Sequence, residues 1–132
     1  MLRKSGYSKK AIRYYEDRIN IGTIENADVV LDYTGPCGDT INLYLEVDAD
    51  SRIKDAKFLY LGCPALASSV SILTRLIKSK TIEEAKEISE HDIISELGGL
   101  PKSKLDCPKL AVTTLQKTIV KYERNKSLRK SE

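Results

Sequence analysis

From Val29 to Leu61 the apolar positions recur at every second residue. Val29, Leu31 and Tyr33 mark the run DVVLDYTG. Ile41, Leu43, Leu45 and Val47 mark TINLYLEV, with Asn42, Tyr44 and Glu46 between them. A period of two sends successive side chains to opposite faces, the signature of half-buried strands. The run RIKDAKFLYL, entered through the Asp- and Ser-rich turn DADS, reads as a returning strand. Three such runs with short connections predict a three-stranded antiparallel meander with one covered face.

After Gly62 the period lengthens to about 3.6, that of a helix. In PALASSVSILTRLIKSK the residues Leu66, Val70, Leu73 and Ile77 form one stripe. TIEEAKEI opens with Thr81 and Glu84 at capping-box spacing. HDIISELGGLP reads as another short helix, stopped by Gly98, Gly99 and Pro101. The last helix, PKLAVTTLQKTIVKYE, has Leu110, Leu115, Ile119 and Tyr122 as its apolar face. Upstream of the strands, YSKKAIRYYEDR reads as a short helix capped by Ser8, with Ile12, Tyr15 and Ile19 on one face; the turn-rich INIGTIENA follows. Strands first and helices after them argue for an α+β fold, with helices packed on one face of the sheet.

Composition narrows the class. The 132 residues suit a single domain spanning 1–132, with residues 124–132 as a flexible basic tail. Apolar residues make up 41% and charged residues 31%, which suits a packed, soluble chain. No apolar run is long enough to span a bilayer. The start MLRKSGYSKK has no apolar segment behind its cations, so a cytoplasmic location without membrane association is expected. The net charge is +3, and much of the excess falls in KYERNKSLRKSE. Glu123 and Glu132 interrupt its cations and Tyr122 is its one aromatic residue, so it reads as a solvated helix end rather than a nucleic-acid surface.

The three cysteines cannot all pair within one chain, and no Cys-x-x-Cys spacing is present. The one histidine, His91, excludes a His-rich metal site, and its place before DIISEL reads as a helix start. Two cysteines share a frame: LGCPALA around Cys63 and LDCPKLA around Cys107. Proline suits the first position of a helix, so Pro64 and Pro108 are expected there, with Cys63 and Cys107 as N-cap residues. At that end the free N–H groups and the helix dipole favour a thiolate. Cysteine is not a preferred N-cap, so its double use points to chemistry rather than capping, although a small buried apolar thiol is the bland alternative. Cys37 sits in TGPCGDT, a Gly- and Pro-marked turn in which Asp39 follows two residues later. That pair either faces one metal ion or is a turn whose carboxylate caps a neighbouring N–H. The hairpin between Cys37 and Cys63 brings their ends together. With Cys107 nearby, three thiolates and Asp39 would make four ligands, the number for tetrahedral zinc or a [2Fe–2S] cluster.

The stretches GPCGDTINLYLEV, DAKFLYLGCPALASSVSILTRLIKSKT, DIISELGGLP and CPKLA together resemble the IscU-type iron–sulfur cluster assembly scaffold, also found as the N-terminal domain of NifU. The resemblance covers nearly the whole chain. It implies a scaffold, not a turnover enzyme, on which a [2Fe–2S] cluster is built from iron and from sulfur delivered as persulfide by a cysteine desulfurase, then passed to acceptor proteins. It implies cluster ligation by Cys37, Asp39, Cys63 and Cys107, with Cys107 as persulfide acceptor and zinc as a candidate occupant of the cluster-free site. A zinc-bound sulfur acceptor for the desulfurase is the alternative, but the long insertion of that branch after the second cysteine is absent. A cluster shared at an interface would make the chain a homo-oligomer.

Two positions depart from the family pattern. Asp106 stands where the family commonly has histidine before the third cysteine, so it becomes an alternate ligand or an outer hydrogen-bond acceptor. LPKSK, Leu100 to Lys104, replaces the Leu-Pro-Pro-Val-Lys loop that docks a dedicated Hsp70-type chaperone, so that partner is not carried over.

Overall fold

Alternating side chains build the sheet seen in a computed structural model, which describes residues 9, 13, 19–36, 38–98, 104 and 106–131, with side chains up to 128. β1 (Val29–Thr34), β2 (Thr40–Val47) and β3 (Ile53–Leu61) form an antiparallel meander in the order β1-β2-β3. Its register places Leu31 opposite Leu43 and Leu43 opposite Phe58. Ile41, Leu43 and Leu45 are wholly buried, whereas Asn42, Tyr44 and Glu46 are half-exposed on the other face. In β3 the buried set shifts from Ile53 to Ala56 and Phe58, a change of parity. A register irregularity at Glu46/Val47 accounts for it: Val47 pairs with Ile53 and Glu46 with Asp55, leaving Lys54 extra.

α1 (Pro64–Ile77) lies at the centre of the domain. Leu66, Val70, Leu73 and Ile77 are fully buried, and so are Ser68, Ser69, Ser71 and Thr74 on its other sides. Such a helix needs its hydroxyls satisfied. Ser69 donates to the Ala65 carbonyl at 2.7 Å, Thr74 to Ser71 at 2.7 Å, and Ser71 to Ile19 at 2.9 Å. α2 (Ile82–Ala85) starts at the expected Thr81–Glu84 capping box. α3 (Glu90–Leu97) starts at a second one, Ser89 with Asp92, and ends where Gly98 turns left-handed at φ 76°. α4 (Asp106–Ser131) packs on α1, α3 and the sheet. Its Leu115 and Ile119 are buried, with Leu110 and Tyr122 packed at the margin of the core.

The α+β arrangement is the expected one. Ile21 adds a parallel bridge to Phe58, so the segment read as irregular lies along the outer edge of β3. Most of YSKKAIRYYEDR lies outside the described residues, although Lys9 and Arg13 are helical. The backbone of 124–131 is helical, the continuation of α4. Among the described residues, no helix is long and apolar enough to cross a membrane.

Candidate metal centre

Three chain segments meet at one end of the sheet. The first is the turn from β1 to β2. Gly35 N–H donates to the Asp39 carbonyl at 2.8 Å, and Gly38 N–H to the Gly35 carbonyl at 3.0 Å. Gly38 adopts φ +88°, a conformation that L side chains rarely adopt. The second is the step from β3 into α1. Cys63 is the N-cap of α1, with φ −85° and ψ 168°, and Pro64 follows at the helix start. The third is the first turn of α4, which carries Cys107.

The two Cys-Pro frames are not equivalent. Cys63 is an N-cap as expected. Cys107 is not: α4 begins at Asp106, so Cys107 is its second residue and Pro108 its third. The helix tolerates this because none of its first four N–H groups has an intrahelical acceptor, so the proline sacrifices no bond. Burial differs as well. Cys63 is half-exposed, whereas Cys107 is 7% exposed and belongs to the apolar core.

One ligand atom each from Asp39, Cys63 and Cys107 lies within 4.8 Å of the other two. The two sulfurs are 3.8 Å apart. Cys37 lies outside the described residues, but its neighbours Pro36 and Gly38 belong to the same turn as Asp39. Asp106 is exposed; it lines a small cavity with Asp39 and Cys107 but does not join the close set. His91 is exposed on α3, in a separate open groove with Leu76, Lys80 and Glu87.

Proximity splits the two thiols electrostatically. Cys63 is lowered from an ordinary 9.0 to about 5, chiefly because Cys107 donates a hydrogen bond to its sulfur. Burial opposes this; the Leu66 N–H, the Lys104 ammonium and the Ala65 N–H support it. Cys107 is driven well above the ordinary range by the same hydrogen bond, by burial, and by the negative charges of Cys63 and Asp39. The anion settles on Cys63 because that sulfur stands at a helix N-terminus and nearer to solvent.

A pH dependence follows for the metal-free protein. Cys63 is depressed, so its contribution to stability is present above the unfolded thiol value and fades as pH falls through about 5. Cys107 is raised, so its contribution is full below the unfolded value and fades at higher pH. Stability relative to a Cys63→Ser variant should therefore climb from pH 5 towards 9, and the alkylation rate of Cys63 should rise with a midpoint of about 5. Differential scanning calorimetry and peptide-resolved alkylation check the two halves.

Glycine makes the approach of Asp39 to Cys63 feasible. A Cβ at Gly62 would stand 2.7 Å from Leu66 Cδ2 and 3.1 Å from Asp39 Cγ. A Cβ at buried Gly35 would stand 2.8 Å from Leu110 Cδ1. The sequence marks Gly35 as a turn residue but gives no sign of this packing, because the contacts come from distant segments. Lys104 was legible only as the end of LPKSK; its effect on both thiols depends on where the chain enters α4.

Two thiols and a carboxylate combine soft and hard donors, a set suited to zinc or iron. Comparison with known proteins points the same way. The family model described as the NifU-like N-terminal domain matches residues 6–129. The iron–sulfur cluster assembly scaffold protein IscU 1 of Archaeoglobus fulgidus is 42% identical over 119 residues, covering 89% of this chain and 77% of the relative. The scaffold protein IscU of Rickettsia prowazekii is 38% identical over 128 residues, covering 94% and 97%. Among solved structures, a protein from Fervidobacterium islandicum AW-1 superposes with a TM-score of 0.70 at 26% identity, covering 86% of this chain and 96% of the other. It is described as a candidate iron–sulfur cluster assembly scaffold for the SUF system.

Proposed function

The chain belongs to the NifU-like N-terminal domain family, and from that premise we propose that it is a scaffold on which iron and sulfide are assembled into a [2Fe–2S] cluster that is then handed to acceptor proteins. The observation that carries this reading is the convergence of Asp39, Cys63 and Cys107 within 4.8 Å. Cys37, two residues before Asp39 in the sequence, is the proposed fourth ligand. Iron and sulfide are here substrates and cargo, not a resident cofactor. The protein acts as a carrier: it holds what it is given and lets it go.

The chain's own contributions follow from its local structure. Cys63 offers a deprotonated sulfur without a separate base. Cys107 holds the second sulfur against the core, so the pair stays in register. Asp39 offers a harder oxygen ligand, which a soft iron–sulfur unit holds less firmly than a fourth thiolate. Sulfur is proposed to arrive from a cysteine desulfurase as persulfide on Cys107.

Anaerobic reconstitution with iron and sulfide tests the reading. The native chain should develop the visible absorption of a [2Fe–2S] cluster, and Cys37→Ser, Cys63→Ser and Cys107→Ser should each lose most of it. A colourless protein that retains tightly bound zinc would instead favour a zinc-bound sulfur acceptor.

A further inference from the structure

A persulfide carries sulfur in the zero-valent state, whereas a cluster requires sulfide. Two electrons must therefore reach the sulfur before it can bridge iron. The two described thiols of the centre stand 3.8 Å apart, near van der Waals contact. Together they hold the two electrons needed.

Geometry also selects which sulfur would be attacked. Cys107 borders a cavity of about 60 Å³ lined by Gly35, Pro36, Asp39, Asp106, Cys107 and Leu110. A single water needs only ~10–15 Å³ by such a measure, so one added sulfur fits. Cys63 is not part of this lining. With the terminal sulfur housed in this cavity, whose lining does not include Cys63, Cys107 Sγ at 3.8 Å would be the sulfur open to attack by Cys63. Displacement at sulfur runs through attack of a thiolate on one sulfur and departure of the other.

We propose that Cys63 is the internal reductant of the centre: it attacks Sγ of a Cys107 persulfide and releases the terminal sulfur as sulfide. The Cys63–Cys107 bond forms, and the bond from Cys107 Sγ to the terminal sulfur breaks. Thiolate plus persulfide (Cys63–S⁻ and Cys107–S–SH) becomes the Cys63–Cys107 disulfide plus HS⁻. The zero-valent sulfur gains two electrons, and the two cysteine sulfurs together lose them. A dithiol reductant, acting by ordinary exchange at half-exposed Cys63, restores both thiols for cluster binding. The carboxylates of Asp39 and Asp106 line the cavity and favour departure of the sulfide anion by repulsion. This step rests on the reading of Cys107 as the sulfur acceptor.

The test uses the metal-free full chain, loaded anaerobically with inorganic polysulfide and freed of excess, with no thiol added. In the native protein, sulfide should appear in equal amount to a Cys63–Cys107 disulfide found by peptide mass mapping. Cys63→Ser should lose the release and retain persulfide on Cys107; serine is a favoured N-cap, so α1 should stay folded. A persulfide that persists on Cys107 of the native chain would overturn the internal reduction and leave the acceptor reading standing. Release that survives in Cys63→Ser but stops in Cys37→Ser would overturn it too, in favour of Cys37. Absence of added sulfur from Cys107 in every protein would sink the acceptor reading and this step together.

Discussion

Asp39→Ala should lengthen the life of a bound [2Fe–2S] cluster and slow its transfer to an acceptor by on the order of tenfold, a change of about 1.4 kcal/mol in the transfer barrier. Asp39 lies within 4.8 Å of both sulfurs, so its carboxylate is the one hard donor in the close set. As the weaker of the proposed ligands, it is where an acceptor's thiolate would first displace the scaffold. The turn does not depend on the side chain: the Gly35–Asp39 bond at 2.8 Å uses the backbone carbonyl. Gly62→Ala offers an independent approach. Its Cβ would press on Asp39 Cγ from 3.1 Å while leaving all the donors in the chain, so it should shift transfer in the same direction by less. Loss of visible absorption with time, with and without an apo-ferredoxin acceptor, measures both. If Asp39→Ala sheds its cluster faster than the native chain, the carboxylate is a holding ligand and the exchange role is wrong.

Phe58→Ala should destabilise the fold by about 3–5 kcal/mol. Phe58 is wholly buried in β3. Its backbone also holds the incoming chain: Phe58 N–H donates to Asn20 O at 3.0 Å, and Gly22 N–H to Phe58 O at 2.8 Å. Removing the ring leaves a cavity between the sheet and its covering layer, with Tyr60, at 5.9 Å between ring centroids, unable to fill it without leaving its own place. A domain's total stability is only about 5–15 kcal/mol, so the loss is a large share. Leu61→Ala, at a residue 73% exposed in the same strand, should change little. Urea unfolding of both variants checks the contrast; equal losses would mean that burial at β3 does not follow the observed face.

Much of this was legible in the residues because the signals are local. The period-two runs fixed which faces of β1 and β2 turn inward. Thr81 with Glu84 and the Gly98 stop bounded their helices closely, since capping depends on neighbours three or four residues away. The bulge in β3 left no such mark: Lys54 looks like any exposed strand residue, and only the pairing of Val47 with Ile53 reveals that it is extra. The duplicated Cys-Pro frame suggested two N-caps and gave one. Proline is acceptable throughout the first turn, so the motif bounds a helix start to within a turn without fixing it.

The candidate centre divides in the same way. The sequence by itself supplied the candidate donors, Cys37, Asp39, Cys63, Cys107 and the neighbouring Asp106, because donor chemistry belongs to residue type. It also implied that the turn carrying Cys37 and Asp39 would lie close to Cys63, because one hairpin joins the Cys37 and Cys63 ends. Tertiary structure alone decided that Cys107 arrives 3.8 Å from Cys63, that Asp106 remains at the rim, and which sulfur gives up its proton. Those outcomes depend on how α4 packs across α1 and the sheet, between residues 44 positions apart. Spacing along the chain does not encode that distance; the packed core sets it.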